Sequence, residues 1–195
     1  MNADDIERRV RAGEALDSEE IGGVDLTGRS LAGARMQGVH LRGTRLTTAD
    51  LTGADLTGAR LKDVDLREAH LERANLDGAT LTNVRLDLAK LKDVKLRGAT
   101  LQNVSFTRAD LRDAKASSAK ISDVSFAGAD LRRADLAGAE LDKVMPALFP
   151  PQTLAAYAAA VPGVRQVTID RASHLLPLER PGELAEVLAG WVQAG

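Results

Sequence analysis

The chain has no cysteine, which excludes disulfides, thiol nucleophiles and cysteine metal sites. Aromatic residues make up only 3% of it, too few for a core built on ring clusters. No stretch approaches the ~20 apolar residues of a membrane-spanning helix, and Met1-Asn2-Ala3-Asp4-Asp5 carries no apolar leader, so a soluble cytoplasmic protein is expected. Neither sign of charge dominates: 26 Lys and Arg stand against 28 Asp and Glu, a net of −2. Both ordinary hydrophobic periods are also missing from most of the chain, the helical 3.6 and the long two-residue alternation.

What is present is a period of five. From Ile21 to Leu141 every fifth residue is apolar without a slip; 19 of these 25 positions are Leu. From position 24 to 139 the residue two places earlier is Ala or Val, with Arg29 and Thr44 the exceptions. The unit reads A-(D/N)-L-x-x, as in Ala49-Asp50-Leu51-Thr52-Gly53. Within it, two apolar residues flank a polar one, which is a short strand with one face buried. The last place is often Gly, Asn or Asp, residues that tolerate the backbone of a tight corner. Each pentapeptide is therefore a short strand plus a turn, and a repeat this strict organises everything else.

A second period sets how many corners close one coil. Val24, Thr44, Val64, Val84, Val104 and Val124 lie 20 residues apart, as do Phe106 and Phe126. Larger side chains recurring at that interval predict a four-sided coil with four pentapeptides per turn. At the strand spacing of ~4.8 Å, about six coils make a rod on the order of 30 Å long. Leu41, Leu61, Leu81, Leu101, Phe106 and Phe126 are expected in its core. Burial of each Leu is worth roughly 1.5–3 kcal/mol. Ala116 is the one small residue in the central columns; a small packing adjustment is expected there, with a bulge over residues 112–120 as the alternative.

These consecutive units resemble the pentapeptide-repeat family over residues 21–145. The resemblance implies an all-β fold, a right-handed quadrilateral parallel β-helix. It also implies a role without catalysis, since some members protect bacterial DNA gyrase and are thought to imitate duplex DNA. Residues 1–20 are expected to form an N-terminal cap: Asp4-Asp5 ahead of Ile6-Glu7-Arg8-Arg9-Val10 reads as a capped short helix ended by Gly13. An open β-helix end needs such a cover.

The charge pattern bears on the gyrase reading. B-DNA carries one charge per ~1.7 Å, so a mimic of this length needs a dozen or so net negative charges. The repeat instead comes out slightly basic, and each side is close to neutral. Opposite charges neighbour one another across coils, as in Asp50, His70, Lys90 and Asp110, or Glu72 and Lys92. The most basic segment holds Arg85, Lys90, Lys92, Lys95 and Arg97 and is a candidate patch for an anionic partner, although no aromatic residues interleave it as nucleic-acid binding would favour. His40 and His70 fall on different sides, so no metal site and no cofactor are expected.

Residues 146–195 form a third region, opened by Pro150-Pro151. A helix over 152–160, a strand over 164–169 and a helix over 182–192 are expected, an α/β appendage. Val167 to Pro181 resembles the C-terminal end of an α/β-hydrolase, with His174 at the place of the catalytic histidine. There is no G-x-S-x-G elbow to supply a nucleophile, so this His completes no triad. The appendage is read as a cap or a homodimer contact through Leu184, Leu188 and Trp191. The leading reading is a non-enzymatic protein-binding scaffold, with gyrase as partner by resemblance; the alternative is a hydrolase-type activity through His174.

Overall fold

The computed structural model describes residues 1–142 and the two-residue strand at 166–167. Seven short strands recur at one place in every coil: β1 (Glu20–Gly22), β2 (His40–Arg42), β3 (Arg60–Lys62), β4 (Thr80–Arg85), β5 (Thr100–Ser105), β6 (Lys120–Ser122) and β7 (Glu140–Asp142). They pair in sequence order and in parallel, each displaced from the last by twenty residues: Ile21 lies beside Leu41, Leu61 beside Leu81, and Ile121 beside Leu141. Isolated parallel bridges with the same offset run down the other sides, such as Asp50 to His70 and Lys95 to Lys115. The chain is thus a parallel β-helix of about six four-sided coils, as its two periods predict. The strand β8 (Gln166–Val167) adds one more parallel rung on β7. The other tail elements expected over 146–195, with His174, Leu184, Leu188 and Trp191, lie outside the described residues.

The axis is filled. Leu41, Leu61, Leu81, Leu101 and Phe106 are at most 2% exposed, and Phe126 is 4% exposed. The Phe106 and Phe126 rings stack nearly parallel, 3° apart in plane with centroids 5.3 Å apart. Ala116 does not mark a bulge: Lys115 bridges both Lys95 and Asp135 in register, and the Ala116 amide donates to the Asp135 carbonyl at 2.7 Å. By position it stands half a coil from Phe106, on the opposite wall of the same turn. The largest core residue thus faces the smallest, which keeps the filling of that coil close to the others.

The corners are of two kinds. At three of them the residue after the turn donates back to the central Leu, as Ala54 does to Leu51 and Ala74 to Leu71, both at 3.0 Å. At the fourth this bond is missing among the described residues after Ile21, Leu41, Leu61 and Ile121, while β4 and β5 run through it as extended chain. The Val24–Val124 series sits at this wider corner. The tight turns draw Ala inward, and the open corner takes a larger side chain. Thr44 replaces Val there and donates its buried hydroxyl to the Ile21 carbonyl at 3.1 Å.

The N-terminal end is closed by α1 (Ala3–Arg11), whose first turn is capped by the Asn2 side chain accepting from the Asp5 amide at 2.9 Å. Gly13, at φ +70°, follows the helix end. Ile6 is fully buried against the first coil. Leu16, also fully buried, adds a unit ahead of Ile21: its amide donates to the Arg35 carbonyl, and Glu19 donates back to it.

Candidate functional site

With Leu along the axis, the polar side chains of the described coils, Thr44 apart, stand on the four outer sides. The first carries β1–β7. The second follows the central residues Leu26 to Phe126, the third Leu31 to Leu131, and the fourth Met36 to Leu136. Each side shows the residues before and after its central apolar residue, stacked in ladders at the strand spacing.

On the second side the ladder centres on Asp65, which is 7% exposed. Arg67 grips it with two hydrogen bonds of 2.9 and 2.8 Å, and Arg85 adds a third at 2.8 Å from the next coil. Burial works against its ionisation, but the Arg67 side-chain and amide hydrogen bonds and the Arg85 charge outweigh it, and the carboxyl is held below its usual range. One coil away Arg45 pairs with Asp25 at 2.9 Å. On the third side Arg112 and Arg132 clamp Asp110 and Asp130, and Arg133 binds Asp113 with contacts of 2.6 and 2.8 Å. Hydrogen bonds from Arg112, Arg133 and Arg132 are the main cause that lowers the pKa of Asp110, Asp113 and Asp130 respectively. A depression on this side is lined by Thr52, Glu72, Arg73, Lys92 and Asp93, with one Glu72 carboxylate oxygen buried and unbonded.

The basic segment does not converge on one surface. Arg85 lies on the second side, bound to Asp65. Lys90 and Lys92 lie on the third, Lys90 between His70 and Asp110. Lys95 and Arg97 lie on the fourth, where Arg97 pairs with Asp77 at 3.1 Å. Consecutive pentapeptides occupy consecutive sides, so a basic run of this length wraps around the coil. His40 and His70 stand on the first and third sides, and among the described residues no three His, Asp or Glu side chains gather as a metal site.

Sequence reasoning missed the role of Arg29. It stands where other coils place Ala, and it binds Glu7 and Asp4 of α1, both at 2.8 Å. Glu7 is held below its usual range, foremost by the Arg29 hydrogen bond and also by Arg11. The signal was available: between positions 24 and 139 Arg29 is the one charged residue in the inner Ala/Val column.

The comparisons agree with this architecture. The family model for pentapeptide repeats matches in stretches 22–58, 59–98, 89–126 and 109–144. Among solved structures, HetL, a pentapeptide repeat protein involved in heterocyst differentiation regulation from the cyanobacterium Nostoc, is 33% identical; the match covers 75% of this chain and 70% of that one, with a TM-score of 0.43. QnrB1, a plasmid-mediated fluoroquinolone resistance protein, is 17% identical over 65% of this chain and 76% of its own, with a TM-score of 0.52. A pentapeptide repeat protein from the Arabidopsis thaliana thylakoid lumen is 21% identical over 68% and 84%, with a TM-score of 0.41. No curated protein matches. The family match spans most of the chain and every described coil, and the chain belongs to the pentapeptide-repeat family.

Proposed function

We propose that the protein is a non-enzymatic scaffold whose outer sides bind another protein. The observation that carries this reading is the filled axis: apolar side chains, chiefly Leu, occupy the interior of every described coil. What the coil offers instead is long sides with side chains held in ladders, a surface suited to a macromolecule. Placement in the cytoplasm is part of the same reading; among the described residues no helix is long and apolar enough to cross a membrane.

DNA gyrase is the first partner to test. The family resemblance points to it, and QnrB1, with the same fold, is described as a fluoroquinolone resistance protein. Imitation of duplex charge does not fit. On the second and third sides Asp25, Asp65, Asp110, Asp113 and Asp130 are tied to arginines of the same side, so a contact would run through shape and individual pairs. In a gyrase supercoiling assay with and without a quinolone, inhibition or protection at micromolar protein is the expected result. No effect at high concentration would move the search to other protein partners by pull-down. Ester hydrolysis abolished by His174→Ala would overturn the scaffold reading itself.

A further inference from the structure

The first side is unlike the second and third. There arginines bind five aspartates of the same side. The first carries Arg42, Arg60 and Lys62 on β2–β3 and Glu140 and Asp142 on β7, all exposed, with Glu20 beside His40 on β1 and Lys120 beside Glu140 on β6. Of these, Arg42, Arg60, Lys62, Glu140 and Asp142 make no ion pair with another described residue. Four coil steps divide β3 from β7, about 19 Å, well beyond the screening length of ~8–10 Å, so the two ends cannot neutralise each other within one molecule. Between them β4 and β5 show the uncharged Thr80, Thr82, Thr100 and Gln102, and β6 shows Lys120 and Ser122, with Lys120 one rung from Glu140. The corner of this side is tied by a ladder in which Asn103 donates to Asn83 at 2.9 Å and Asn83 to Asp63 at 2.8 Å.

We propose that this side binds a second copy of the chain, face to face with the coils antiparallel, about a two-fold axis lying along β5. Such an axis reverses the order of coils and keeps the position along each strand. β3 then meets β7 of the other molecule. Arg60 falls opposite the partner's Glu140, and Lys62 falls opposite the partner's Asp142. Thr80 meets the partner's Lys120, and Thr82 meets the partner's Ser122. Thr100 and Gln102 each meet their own counterparts. The competing two-fold axis, along the rod, sets Arg60 against the partner's Lys62 and is disfavoured by like charge. A polyanion lying along the side would meet Glu140 and Asp142 and be repelled there; a second copy satisfies both ends.

The contact is small. With the axis on β5 only β3–β7 of each copy overlap, a strip ~16 Å wide and ~24 Å long that offers about 380 Å² per copy, below the standard size of specific interfaces. The dimer is therefore reversible, forms in the micromolar range or weaker, and weakens with salt. Its location is distinct from the tail contact expected over 146–195.

Sedimentation velocity on the full chain tests it by charge exchange. The wild type is expected to dimerise with rising concentration in low salt and to dissociate in 0.5 M salt. The reversals Arg60→Glu with Lys62→Glu, and Glu140→Lys with Asp142→Lys, should each weaken dimerisation at least about tenfold, since the two-fold axis repeats both contacts and each reversal removes four cross-interface pairs. Mixed in equal amounts, the two variants should form a heterodimer, because both of its charged contacts become attractive again. Circular dichroism confirms that each variant keeps its fold. As an independent readout, Thr100→Cys in this cysteine-free chain should cross-link under diamide, and Thr80→Cys, which lies off the axis, should not. A wild type still monomeric at about 1 mM in low salt overturns the proposal. So does a dimer that both reversals leave intact, which would place the contact in the tail.

Discussion

At the scale of single residues, the fold tolerates what a corner needs and little else. The last residue of each unit has positive φ, and fourteen of these positions are not Gly; Leu88, at φ +60° and 51% exposed, gains nothing visible from its side chain. At the open corner the same place is held by Gly23, Gly43, Asp63, Asn83, Asn103 and Asp123, all types that accept the left-handed region cheaply. Inside, the pairing of Phe106 with Ala116 makes a quantitative prediction. Ala116→Leu should overpack the coil and cost about 1–3 kcal/mol. Phe106→Leu should leave a void and destabilise by roughly 1–2 kcal/mol. If the two share one volume, the double variant should be more stable than the sum of the single losses by about 0.5 kcal/mol or more in urea unfolding. Strict additivity would show that the opposite walls do not sense each other.

At the scale of elements, the apolar pattern made the coil legible because its period admits no other reading. Elsewhere the pattern says less. Leu16 escapes it because Glu14 sits where Ala or Val belongs, so the unit is recognisable only by its hydrogen bonds to Arg35 and Gln37. The basic segment is contiguous in sequence and dispersed in space, since charge along the chain carries no information about sides until the twenty-residue register is imposed. Arg29 breaks the inner column for a reason that lies outside the repeat, in α1. This gives an element-scale prediction. Arg29→Ala should free Glu7 and Asp4 and speed amide exchange in α1 and the first coil, leaving β3–β6 protected. Uniformly faster exchange over all coils would mean that the cap and the rod unfold as one unit.

At the scale of the molecule, each coil touches only its neighbours, so cohesion accumulates rung by rung. The side chains that link rungs or brace their turns are largely carboxylates. Asp25 and Asp50 are held below the usual range chiefly by hydrogen bonds from Thr27 and Thr52. Asp110, Asp113 and Asp130 are lowered by their arginines. In Asp55 and Asp65 burial opposes the shift and is outweighed, by Thr57 and Gln37 in the first case and by Arg67 in the second. A carboxyl with a lowered pKa in the folded state favours folding wherever the unfolded chain would bind the proton and the folded one would not. That contribution is complete above the unfolded value of ~3.9 and disappears as pH falls through the lower folded values. The melting temperature should therefore stay nearly level from about pH 7 to about pH 5 and fall below about pH 4. With many weak sites spread over three sides, the fall should be gradual and shared by all coils. Calorimetry between pH 2 and 7 reads this directly. A melting temperature independent of pH down to about 3 would mean that the ladders contribute nothing and that the Leu column alone holds the rod.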